Sequence, residues 1–272
     1  MELIQPIKVD DSKKRLSLTD FRIKSTDDID ADVYLTKIGN TNKLSRSNIS
    51  AWTGMAKSRK TFALTMVVSS MLAGSDIYGQ FKSYNRCRVL WIDTEQSPYD
   101  VQKVVRRTVK MSGSEDSLFM YGLRPLSPAE RIMMIDQALK NHECDVLVID
   151  GARDLLTDIN NAEQSTEIVT KLMKWSYDYN IHVATVVHSS YGSSKVRGHI
   201  GSELENKAET VIKVQVNEDD KERSDIIEIR GRGKGFGDIG FKVNDDGIPE
   251  VIDMDMIDNA ITALPGGDDI PF

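Results

Sequence analysis

The stretch GMAKSRKT, Gly54 to Thr61, carries the residue types needed to hold a chain of phosphates. Such a site needs backbone N–H groups and a helix N-terminus aimed at the anion. It also needs a lysine that reaches the terminal phosphates and an adjacent hydroxyl for Mg2+. Lys60 and Thr61 suit the last two roles, and Gly54 suits the opening turn. Met55, Ala56, Lys57, Ser58 and Arg59 complete the candidate cradle. The stretch departs from the pattern GxxxxGK[ST] at Arg59, where a second glycine is expected. Either Arg59 takes an uncommon backbone conformation at a cost of roughly 1 kcal/mol, or the loop differs locally. Lys57 and Arg59 add positive charge to a nucleotide loop in one reading and decorate a structural turn in the other.

Other candidate groups sit where apolar runs end. Asp150 closes DVLVID, the place for a carboxylate that orients Mg2+ through water. Asp93 and Glu95 follow from RVLWID, where a general base for an attacking water belongs; the alternative for Glu95 is a charge complementing a helix dipole. His188 closes VATVVH, as a sensor of the terminal phosphate or as a histidine bonded to backbone. The segment Ser189 to Gly201 sets Tyr191 beside Lys195, Arg197 and His199 among Gly and Ser. An aromatic platform with cations suits single-stranded DNA, and a solvated lid is the alternative. In IIEIRGRGKGFG, Arg230, Arg232 and Lys234 alternate, so they share one side of an extended chain; the plainer reading is a basic hairpin tip.

The elements that must position these groups alternate between strand and helix from about residue 44. Asn48 to Trp52 is expected as a strand, Lys60 to Ala73 as a buried helix, and Arg88 to Asp93 as a strand. A helix opening near Pro98 follows, then a short strand from Leu118 to Tyr121 and a helix capped by Ser127. Asp145 to Asp150 and Ile181 to Val187 bracket a helix around Glu163 to Tyr179. This alternation implies an α/β fold, a mostly parallel sheet flanked by helices. Beyond residue 208, Val211 to Val216, Ser224 to Arg230, Ile239 to Val243 and Glu250 to Ile252 read as antiparallel strands extending it.

The 272 residues are 40% hydrophobic and 28% charged, ordinary values for a globular protein and too apolar for wholesale disorder. A net charge of -7 excludes a broad non-specific nucleic-acid coat, so DNA contact would come from local basic loops. The two cysteines, Cys87 and Cys144, lack partners at metal-ligand spacing and are expected as reduced thiols. No apolar run approaches a membrane span, which leads to an expected cytoplasmic location without membrane partners.

In this order, ISAWTGMAKSRKT, VLWIDTEQS, DVLVIDGARDLL, VATVVHSS and KVRGHIGSELENKAETVIKV resemble the RecA-like ATPases, and more closely the RepA-type hexameric helicase branch. The likeness covers about residues 44 to 253. It implies a RecA-like P-loop NTPase core that binds ATP and Mg2+. It implies Glu95 as catalytic glutamate, Asp150 as the Walker B aspartate with Thr61 on the metal, and His188 as sensor. It further implies nucleotide sites at subunit interfaces of a ring or filament, with Arg230 or Arg232 reaching a neighbour's γ-phosphate. Residues 1–43 are expected as a partly ordered arm and 254–272 as a flexible linker and acidic tip.

That tip, Asp268-Asp269-Ile270-Pro271-Phe272, resembles the tail of bacterial single-stranded-DNA-binding proteins, which recruits replication and repair enzymes. An apolar anchor, neighbouring acids and a free carboxylate suit a basic-rimmed pocket; a solubilising tail is the alternative. The expected function is ATP hydrolysis on DNA in replication, recombination or repair. One rival is a degenerate RecA-like adaptor that binds nucleotide weakly and recruits proteins through its tip. Another is an ATPase unconnected with nucleic acid.

Overall fold

A computed structural model describes residues 17–189 and 198–252. The chain divides into two compact units, Met1–Asp32 and Val33–Phe272. In the described part of the first, Ser17 caps a 3-10 turn, Leu18–Phe21, by accepting from the Thr19 N–H.

The second unit begins with β1 (Tyr34–Ile38), β2 (Thr41–Ser45), β3 (Ile49–Gly54), α1 (Lys60–Ala73), β4 (Asp76–Ile77) and β5 (Phe81–Ser83). Next come β6 (Val89–Asp93), α2 (Pro98–Ser112), β7 (Leu118–Gly122), α3 (Pro128–Asn141), β8 (Val146–Asp150), α4 (Ala162–Asp178) and β9 (His182–His188). The chain continues through α5 (Gly198–Lys207), β10 (Thr210–Val216), β11 (Ser224–Gly231), β12 (Ile239–Val243) and β13 (Pro249–Val251). Local chemistry explains the helix starts. Ser97 accepts from the Asp100 N–H with Pro98 in the first turn, and Ser127 forms a reciprocal capping box with Glu130 ahead of Pro128.

The main sheet runs β13-β12-β11-β10-β3-β9-β8-β6-β7. From β10 to β7 every neighbouring pair is parallel, and β11, β12 and β13 extend the sheet antiparallel. β3, β6 and β8 are buried along their whole length, the pattern of strands covered by helices on both faces. One core joins α1 to the sheet face bearing Trp52, Trp91 and Val148; the opposite core joins α4 to Ala51, Leu147 and Ile149. A second, antiparallel sheet, β2-β1-β5-β4, lies on α1 and contributes Ile38 and Phe81 to the first core. This second covering is why α1 is buried around nearly its whole circumference.

Three features differ from the sequence expectation. β1 falls inside the stretch 1–43 assigned to an arm and β2 begins within it, and their unit begins at Val33. β10 is parallel to β3, not antiparallel throughout. The reason is α5, which occupies the end of the expected Ser189 to Gly201 loop and supplies the crossover that a parallel return requires. His199 and Gly201 are therefore helical. Among the described residues no helix is long and apolar enough to cross a membrane. Tyr191, Lys195 and Arg197, and the tip Asp268 to Phe272, lie outside the described residues.

Candidate functional site

Parallel strands deliver their C-terminal ends to one edge of a sheet, and the candidate groups follow from that. β3 ends at Gly54 and turns into the loop that opens α1; β8 ends at Asp150, β9 at His188, and β6 at Asp93, two residues before Glu95. Gly54 is constrained by close approach, since a Cβ there would run into the Val214 carbonyl of β10 and the Ser58 hydroxyl. Gly151, at φ +107°, leaves room for Thr94 and Glu95, whose side chains a Cβ would strike. The ends of β6 and β8 are further tied by the Thr94 N–H donating to the Asp150 carbonyl at 3.0 Å.

Lys60 is buried, and its Nζ reaches the carbonyls of Gly54 (3.0 Å) and Met55 (2.9 Å) and His188 Nδ1 (3.2 Å). A lysine ammonium has no lone pair, so Nδ1 accepts and Nε2 carries the ring proton. That Nε2 lies 3.1 Å from Glu95 Oε1, giving a continuous chain Lys60–His188–Glu95. The His188 hydrogen bond holds the Glu95 carboxyl below its ordinary range, against an opposing effect of burial. Burial lowers the Lys60 pKa, with Asp150 and Glu95 acting in the other direction. Asp93 is spent on structure. It accepts from the N–H groups of Glu95 (3.0 Å) and Gln96 (2.7 Å), turning the chain so that Glu95 faces His188.

Thr61 Oγ1 donates to Asp150 Oδ2 at 2.7 Å. Burial, reinforced by the Asp93 charge, pushes the Asp150 carboxyl up to about 7. A buried carboxylate next to a hydroxyl, pressed toward neutrality by burial and the Asp93 charge with only partial relief from Lys60, is a fitting pair for a hard divalent cation. Among the described residues no cluster of three or more His, Cys, Asp or Glu could hold a metal. Two protein oxygens with phosphate and water suit Mg2+, which keeps most of its ligands from outside the protein. When bound there, Mg2+ supplies charge neutralisation for the β- and γ-phosphate oxygens.

These groups line one cleft of about 350 Å3. Lys57, Ser58, Arg59, Lys60 and Thr61 face it; Met55 and Ala56 are exposed and do not. The Ser58 hydroxyl is buried without a hydrogen-bond partner in the cradle. The cleft is also lined by Phe62, Gln96, Val104, Arg107 and Val186, none of them a site residue in the sequence reading; Arg107 on α2 and Phe62 on α1 form a pair. The Arg107 guanidinium stacks 3.7 Å from the Phe62 ring centroid, its Nη1 is buried without a partner, and burial lowers its pKa to about 10. A signal for it existed: Arg107 follows Val104 by one helical turn, on the face that α2 buries. Arg230, Arg232 and Lys234 are exposed and do not line this cleft. At the end of β11, Glu228 pairs with Ile212 and Arg230 with Val211, so Ile229 is the extra residue of a bulge that re-aims the arginines.

A lysine and hydroxyl at the mouth of a β-loop-α turn, facing a strand-end aspartate, define a nucleotide-binding P-loop ATPase. A family model described as AAA domain matches residues 23–194, more than half of the chain, and the chain belongs to that family. The match takes in the phosphate loop, Glu95, Asp150 and His188, and stops before α5 and β10. No curated protein matches the chain.

Proposed function

We propose that this chain hydrolyses ATP in a DNA-associated, RecA-like assembly of replication, recombination or repair, as a RepA-like helicase or DNA-remodelling ATPase. The observation that carries the reading is the chain Lys60–His188–Glu95 set beside the Thr61–Asp150 pair. In this reading Lys60 binds the terminal phosphates and Thr61 with Asp150 holds Mg2+. Glu95, kept ionised by His188, takes the proton of the attacking water. His188 bonds both Lys60 and Glu95 and closes β9, so a change at the phosphate is passed through it to the segment that follows the strand. Tyr191, Lys195 and Arg197 of that loop contact single-stranded DNA. Arg230 or Arg232 serves a neighbour's site in a ring or filament, and Asp268 to Phe272 recruits proteins that read single-stranded-DNA-binding-protein tails.

ATP turnover with and without single-stranded DNA tests the proposal. Stimulated hydrolysis supports it, and Lys60→Ala is expected to abolish nucleotide binding; unchanged affinity in that variant sinks the phosphate-loop assignment. The departure at Arg59 favours a second reading, an adaptor with weak nucleotide binding. Turnover that ignores DNA, with pull-down lost on deleting Ile270 to Phe272, supports that one.

A further inference from the structure

Arg59 stands where the phosphate-loop pattern has glycine, and it adopts the conformation that glycine would supply: φ +68°, ψ 31°, at the N-cap of α1. A side chain in that left-handed region is strained, because its Cβ crowds the following carbonyl oxygen. Its side chain makes no capping bond to the helix. Instead the guanidinium crosses to the turn between β10 and β11, where Nη1 donates to Ser224 Oγ at 2.9 Å and Nη2 to the Lys221 carbonyl at 3.1 Å.

The anchor is itself well held. Asn217 Oδ1 accepts from the N–H groups of Asp219 (3.0 Å) and Asp220 (3.1 Å), and its Nδ2 donates to Asp225 at 2.7 Å. Lys242 of β12 pairs with Asp220 at 2.8 Å, and Ser224 is fully buried. The other end of the loop meets the same hairpin, because Gly54 packs beneath the Val214 carbonyl of β10. The phosphate loop is thus seated on β10–β11 at both ends.

We infer that Arg59 is a positioning residue for the nucleotide: bonded to Ser224 and Lys221, it pins the phosphate loop in the left-handed turn that glycine otherwise provides. A glycine reaches that turn freely but also leaves it freely. An arginine tied by its head group is held there, so the N–H groups at the start of α1 stay aimed at the phosphates. The inference rests on the nucleotide-binding reading above.

The test measures the affinity of the full chain for a fluorescent N-methylanthraniloyl ATP in Arg59→Ala, Arg59→Gly and Ser224→Ala, with thermal unfolding recorded alongside. Arg59→Ala keeps the left-handed cost and loses the tether, and is expected to weaken binding about tenfold. Arg59→Gly removes both and recovers most of that loss. Ser224→Ala keeps Arg59 itself and weakens binding about threefold, the scale of one partly exposed hydrogen bond. Equal affinity in all variants overturns the inference. Equal weakening in the alanine and glycine variants, with Ser224→Ala unchanged, overturns it in favour of a direct contact between Arg59 and phosphate. Wild-type protein that fails to bind the probe overturns the nucleotide reading as well, which separates the two failures.

Discussion

Asp150 offers a sharp test at the scale of single residues. Its folded pKa of about 7 lies well above that of an ordinary aspartate, so the fold retains a proton that the unfolded chain releases. The resulting stabilisation is complete at acidic pH and is lost as pH rises through about 7. Asp150→Asn is expected to flatten that slope in thermal melts without Mg2+ and to leave the variant the more stable form at about pH 8. Under the proposed role of Asp150, Mg2+ takes the ionised carboxylate, so the apparent affinity of the wild type is expected to rise with pH and binding to release a proton near neutrality. Calorimetry in buffers of different ionisation enthalpy reads that proton; heats independent of buffer would dismiss the assignment. That Lys60, Thr61, Asp150, Glu95 and His188 share one edge could be read from the sequence, because each closes or closely follows a strand, or opens a helix, and parallel topology brings such positions together. Arg107 was hidden inside the helix expected to open near Pro98. The conformation of Arg59 was left open because it depends on Lys221 and Ser224, more than 160 residues away.

Among the elements, the buried parallel strands were legible as short apolar runs and α1 as a buried helix. The sheet on the far side of α1 was not. Its strand β2 reads TNKLS, polar in composition, yet Lys43 is fully buried against Glu228 of β11 at 2.7 Å, with side-chain exposures of 2% and 5%. A lysine in a strand signals solvent unless its partner is known, and this partner lies 185 residues away. α5 was missed for a related reason: Gly198 and Gly201 argue against a helix, and burial of Ile200 and Leu204 overrides them. The Lys43–Glu228 pair also accounts for the path of the segment that carries Arg232. Lys43 Nζ donates to the Lys234 carbonyl at 3.1 Å, and Glu228 accepts from the Phe236 N–H at 3.1 Å. Lys43→Met leaves the carboxylate buried without its counter-ion and is expected to cost about 3–5 kcal/mol in denaturant unfolding. Lys43→Met combined with Glu228→Met should recover most of that loss. A double variant as unstable as the single one would show that the cost comes from packing and not from the stranded charge.

For the whole molecule, the open question is whether one chain completes the site. Lys60, Thr61, Glu95, Asp150 and His188 converge within a single cleft, but the described lining of that cleft does not include Arg230 or Arg232. Arg230 follows the bulge at Ile229 near the end of β11 and Arg232 lies just past the strand, both with exposed side chains. Such arginines serve a γ-phosphate only if a second copy presents them, which ties activity to assembly. Mixing inactive variants decides between cis and trans action. Glu95→Gln keeps the arginines and loses the base; the double variant Arg230→Ala with Arg232→Ala keeps the base and loses the arginines. Each alone is expected to be inactive. In an equal mixture that exchanges subunits, about a quarter of interfaces join an intact base to intact arginines, and turnover should return to about that fraction. Arginines acting within their own chain give no recovery at any ratio, because every chain then carries one defect or the other. Native mass measurement of the mixture confirms that both variants entered the same assemblies, so a lack of recovery counts against the shared site.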